Sequence, residues 1–148
     1  MTGLFRYARK MRKHALYAYV EGYDLDSVAA HISDRLSDLI SGRDWISGEA
    51  WVVNQKRGDP ANDGGWELGM NLELPDPHSE PDGWFADVEE IAIACNELAG
   101  THHRSFMIGI ADQETKIAEE LFQIDGGAVD IERLRAIIGV EPPTLTQA

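Results

Sequence analysis

The groups able to do chemistry in this 148-residue chain are five histidines, one cysteine and 26 carboxylates. A metal centre needs imidazoles or thiolates at ligand spacing, and His14, His31, His78, His102, His103 and Cys95 show no such pattern. His102, His103 and Arg104 follow the end of a predicted helix, where cationic side chains complement the negative end of the dipole. His31 falls on the polar face of another predicted helix and is expected in water. Cys95 lies on an apolar helical stripe and reads as a small buried hydrophobe. As the single cysteine it can form no intrachain disulfide, which points to a reducing compartment. Neither Gly64-Gly65 nor Gly126-Gly127 is followed by the Lys-Ser/Thr of a phosphate loop, and a serine nucleophile elbow is missing. Carboxylates such as Asp87 and Glu90 are what the first turn of a helix selects against its positive dipole end. The expectation is a non-enzyme with no metal and no cofactor.

Recognition is the chemistry that is left, and it depends on how strands position side chains. Trp66, Leu68, Met70, Leu72 and Leu74 alternate with Glu67, Gly69, Asn71 and Glu73. A period of two over nine residues is a strand with one face buried, and Pro75 and Pro77 stop it. Ala15 to Tyr23 alternates in the same way, with Leu16, Ala18 and Val20 against Tyr17, Tyr19 and Glu21. Trp45 to Lys56 reads as a further strand centred on Trp51, Val52 and Val53. The face these three strands turn away from the core would carry Tyr17, Tyr19, Glu21, Glu49, Trp51, Val53, Glu67, Asn71 and Glu73. Tyrosine and tryptophan anchor protein partners, and carboxylates meet lysine and arginine, so this face suits a basic protein. RNA-recognition modules also use sheet aromatics, but their K/R-G-F/Y motif is missing and the face is acidic.

Two long helices are expected between the strands. Leu25, Val28, Ala29, Ile32, Leu36, Leu39 and Ile40 recur at three- and four-residue steps, with Asp24 as N-cap and Gly42 as terminator. Phe85, Val88, Ile91, Ala92, Cys95, Leu98 and Ala99 form the stripe of the second, Trp84 to Ala99, closed by Gly100. Ser105 to Ala111 reads as a fourth strand. Ile117 to Asp125 reads as a fifth, although its A-E-E-L has good helix propensity. Ile131, Leu134, Ile137 and Ile138 mark a last short helix. The order β-α-β-β-α-β followed by β-α predicts an α+β fold of the ferredoxin-like, split βαβ kind, with an antiparallel sheet in the order 2-3-1-4-5. Leu16, Ala18, Val20, Leu68, Met70, Leu72, Ile108 and Ile110 would face the helices.

The length suits one domain, read as residues 14–142 with a loose tail from Pro143 to Ala148. The net charge of −13 is uneven: residues 1–13 hold five of the 13 basic residues and no acid. That segment lacks the apolar run of a secretory signal and reads as a basic extension, with Met11 as an alternative start. The acidic remainder repels nucleic acid, and no run of 18 apolar residues predicts a membrane span. A homodimer is left open by the sequence.

Three segments, W-E-L-G-M-N-L-E-L-P-D-P (66–77), G-W-F-A-D-V-E-E-I (83–91) and F-M-I-G-I-A-D (106–112), are similar in style to immunity proteins of polymorphic-toxin and contact-dependent inhibition systems. The resemblance spans about half the chain, and the basic leader departs from it. It implies a small acidic cytoplasmic protein that binds a delivered toxin and occludes a basic active site. On that reading the docking set is Tyr17, Tyr19, Glu49, Trp51, Glu67 and Glu73, with the acidic loop 76–87, including Asp82 and Asp87, as second choice. The rival expectation from another class is a regulatory domain of ferredoxin-like type that binds a small metabolite.

Overall fold

The alternating stretches become strands and the three- and four-residue stripes become helices. The computed structural model describes residues 12–22, 24–56 and 66–138. In chain order the elements are β1 (His14–Val20), α1 (Ala29–Ser41), β2 (Ala50–Lys56), β3 (Trp66–Glu73), α2 (Phe85–His102), β4 (Phe106–Asp112), β5 (Ala118–Ile124) and α3 (Ile131–Ile138). The five strands form one antiparallel sheet in the order β2-β3-β1-β4-β5, as expected. Because β1 and β2 both oppose β3, they run parallel to each other and α1 is a crossover. The same holds for β3 and β4 on either side of β1, with α2 as crossover. The fold is α+β and ferredoxin-like. Residues 1–11 of the expected extension 1–13, the expected turn-rich loop 57–65 and the expected tail 143–148 lie outside the described residues.

One sheet face and the helices enclose the core. Leu16, Ala18, Leu68, Met70, Leu72 and Ile108 have no exposed surface, and neither have Leu25, Ile32, Leu36, Val88, Ile91 and Leu134. Each large apolar side chain buried this fully contributes about 1.5–3 kcal/mol relative to exposure. Ile110, near the end of β4, is partly buried against the same cluster. Among the described residues no helix is long and apolar enough to cross a membrane.

Three local expectations are corrected. Asp24 does not cap α1: the helix starts five residues later, after a turn in which the Leu25 carbonyl accepts from Val28 and Ala29. Buried Leu25 fixes that turn, and Asp24 instead gives its carbonyl to Arg104 at 2.7 Å. Gly100 does not close α2, which runs on to His102 and ends with His103 in the left-handed conformation (φ 56°). Gly100 is where the backbone after β5 crosses the helix. A Cβ on Gly126 would stand 2.9 Å from Gly100 Cα, and Asn96 holds both Gly126 N and Gly127 O. The second strand begins at Ala50 rather than Trp45, because residues 43–47 are bound to the start of α2. At the opposite edge of the sheet Ala118–Ile124 is the expected fifth strand despite its helix-favouring composition, since pairing with β4 outweighs intrinsic propensity.

Cys95 is fully buried, as expected, and burial pushes its thiol up to about 12. Only thiolate attacks a disulfide reagent. The native protein should therefore show no titratable thiol with such a reagent and one per chain in denaturant. Rapid labelling of native protein would contradict that burial.

Candidate binding face

The sheet's other face is built from the odd residues of β1 and β3. Tyr17 and Tyr19 sit on the central strand, their ring centroids 5.0 Å apart and the planes tilted by 43°. Tyr17 stands opposite Gly109 on β4 and Asn71 on β3, and Tyr19 opposite Gly69 and Met107. A Cβ on Gly109 would overlap the Tyr17 ring, so this glycine is what lets the ring lie across β4. An aromatic side chain then covers the gap that glycine leaves in the sheet surface. Asn71 hydrogen-bonds the Tyr19 hydroxyl, which fixes the second ring. The Oδ1 atom of Asn71 is enclosed without a partner.

Tyr17, Tyr19, Asn71, Ala15 and Ala111 form the floor of a groove of about 640 Å³. Glu67, Glu120, Asp112, Gln113 and Lys116 stand along its sides. Burial raises the Tyr17 phenol above its ordinary value, and Glu120 adds to the effect. Tyr19 is raised by burial first, with Glu67 and Tyr17 adding and the Asn71 hydrogen bond opposing. Both phenols are therefore neutral at physiological pH, with a carboxylate beside each. Asp112 is occupied locally. The Lys13 ammonium at 2.8 Å and the N–H groups of Glu114 and Thr115 hold its carboxyl below the usual carboxylate range.

Glu120 reaches this face through a β-bulge. Phe106 to Ile108 pair with Ile124 to Phe122, but Gly109 then pairs with Glu120, so Leu121 is the extra residue. A regular ladder would set Leu121 opposite Gly109 and turn Glu120 to the helix side. Bulges re-aim side chains in this way because one added residue reverses the alternation. The sequence reading therefore missed Glu120, and with it the contribution of the β4–β5 loop. The adjacent acids Glu119 and Glu120 were the available signal, since one of two neighbours on a strand must face each side.

Of the expected docking residues, Tyr17, Tyr19 and Glu67 line the groove. Trp51 shares the face on β2, opposite Asn71, and is partly exposed. Glu49 is exposed just before β2, where its carbonyl accepts from Glu73 N at 2.9 Å. Glu73 lies on the same face but is only 4% exposed, with Oε1 accepting from Glu49 N at 3.4 Å. It is a buried part of the β2–β3 edge rather than an open contact. Asp82 is exposed in the loop before α2 and does not line the groove. Asp87 has to be removed from the docking set. It is fully buried, and its carboxylate accepts from Arg43 Nε and Nη2, Ile46 N and Ser47 N at 2.6–3.0 Å.

A second polar constellation lies on the helical side. His31, expected in water, places Nδ1 2.6 Å from His102 Nε2, so the pair spans the seam between α1 and α2. His102 is shifted below the ordinary histidine value by partial burial, with His31, Arg104 and His103 adding to the shift. Arg35 and Glu97 pair at 3.1 Å across the same seam. Among the described residues, no group of three or more His, Cys, Asp or Glu is gathered to hold a metal.

Fold and face together define an α+β ferredoxin-like domain with a tyrosine-floored, acid-flanked groove on its helix-free sheet face. No protein-family model, curated protein or solved structure matches the chain.

Proposed function

We propose that this chain is a binding protein of the immunity type, which neutralises a basic protein partner by covering its active site with the helix-free sheet face. The observation that carries this reading is the groove, where two fixed, neutral tyrosine rings each stand beside a carboxylate. A lysine or arginine side chain over a tyrosine face gains cation–π attraction, and the neighbouring carboxylate adds an ion pair. The net charge of −13 would speed encounter with a basic surface, an effect that salt screens. Trp51 and Glu49 extend the face across β2.

The test is co-expression with the product of the adjacent upstream gene, followed by size exclusion and a growth assay. A stable complex that rescues cells from a lethal neighbour is the expected result. In that complex Glu67→Lys and Glu120→Lys should each weaken binding by roughly tenfold, mostly through slower, salt-sensitive association. Unchanged affinity in both variants would exclude this face as the contact.

The groove volume also lies within the usual range for small-ligand sites, about 300–1,000 Å³, which favours a second reading as a binder of a small cationic metabolite. A thermal-shift screen of polyamines and amino acids separates the two. Saturable stabilisation lost in Tyr17→Leu would favour the metabolite.

A further inference from the structure

We propose that His31 and His102 form a two-imidazole site for a divalent transition metal of the zinc, nickel and copper class, clasping α1 to α2. It is independent of the sheet face and lies on the opposite layer of the fold. The two side chains come from different helices and are 71 residues apart in sequence, yet ring nitrogens Nδ1 and Nε2 stand 2.6 Å apart. Their rings meet edge to face, with centroids 4.8 Å apart. With no metal, two nitrogens at that distance must share one proton, since one has to donate and the other accept. A metal ion takes the proton's place between the same two lone pairs. For nitrogens at 2.0–2.1 Å from the metal, the N···N separation becomes about 2.9–3.3 Å. His31 is exposed and His102 half-buried, so the rings can open by the few tenths of an ångström this requires.

The surroundings act on a cation in both directions. Arg35, one turn along α1, is paired with Glu97, whereas Arg104, which donates to the Asp24 carbonyl at 2.7 Å, keeps its charge near His102 and works against the ion. His102 lies in the last turn of α2, whose negative dipole end favours positive charge. No third protein ligand is gathered there among the described residues, so water completes the coordination shell. Imidazole nitrogens select zinc, nickel and copper over magnesium and calcium, and copper should bind tightest of the first-row ions.

The experiment is isothermal titration of the tag-free protein with ZnCl2, NiCl2, CuCl2 and MgCl2, with melting temperature read in parallel. One ion per chain is expected for copper, nickel and zinc, and none for magnesium. Each binding ion should raise the melting temperature, because it links two helices only in the folded state. His31→Gln and His102→Gln should each weaken binding by at least about tenfold, since each removes half of the protein ligands. His103→Asn, which keeps a residue suited to the left-handed helix end, should bind as the wild type does. Three results would overturn the proposal: no binding by any ion, binding unchanged in both glutamine variants, or loss in His103→Asn equal to loss in His102→Gln.

Discussion

Replacing Asp87 with alanine should lower stability by about 3–5 kcal/mol, among the largest single-residue effects in this chain. The carboxylate has no exposed surface, while Arg43, its cationic partner, is 24% exposed. It also receives Ile46 N at 2.8 Å and Ser47 N at 2.6 Å, so four donors converge on one side chain. Alanine would leave Arg43 without its counter-charge and take the acceptor from the Ile46 and Ser47 N–H groups, at about 1–3 kcal/mol for each that stays out of water. Asp87→Asn keeps the shape but turns an NH2 group toward donors, so it should recover only part of the loss. Arg43→Ala should also be costly, because it leaves the fully buried carboxylate without its counter-charge, held only by the two backbone donors. For a chain of this size, 1 kcal/mol shifts the melting temperature by about 2–4 °C, which predicts a fall near 10 °C for Asp87→Ala. A change under 2 °C would show that the carboxylate is not holding this loop (about 0.5–1 kcal/mol on the same scale). The segment it ties down leads into Glu49 and Trp51, so the same variant should also loosen the β2 side of the binding face.

Gly69→Ala should be comparably severe, at about 3–4 kcal/mol, for a steric reason. A Cβ on Gly69 would overlap the Ala18 carbonyl oxygen and stand 2.8 Å from Tyr19 Cα. Both obstacles are backbone of the central strand. Relief therefore means shifting β1 against β3, the pairing that holds the middle of the sheet. Gly127→Ala is the matched control, since its Cβ would meet only the Asp125 side chain at 3.4 Å. Loss of soluble protein for Gly69→Ala beside a near-normal Gly127→Ala is the expected pair of results. Equal chemical-denaturation midpoints would contradict the close approach of the two strands.

Much of the fold was legible because burial on one side imposes a period on the chain. Alternation in Ala15–Tyr23 and Trp66–Leu74, together with three- and four-residue stripes in α1 and α2, determined the element types. Their order determined the sheet topology. The helix-facing residues followed from the same parity, and so did the sharing of one face by Tyr17, Tyr19, Glu67 and Asn71. These are local properties, readable from near neighbours in sequence.

What only the tertiary structure decided depends on contacts between residues far apart in the chain. Asp87 has the sequence signature of a helix-start acid, yet donors from residues 43–47 turned it from a surface charge into a buried tie. Gly100 looked like a helix stop, but the crossing backbone at Gly126 kept it inside α2 and left His103 to end the helix. Glu120 joined the binding face through a bulge, because one extra residue against β4 reverses every side chain beyond it. His31 and His102 met because helix packing fixes which residues face across a seam, a distance no local pattern encodes. The sequence by itself determined the layers and their faces, because burying one side of each element sets a local period. The tertiary structure decided which polar groups those layers bring within bonding distance, because that depends on register and packing between distant segments.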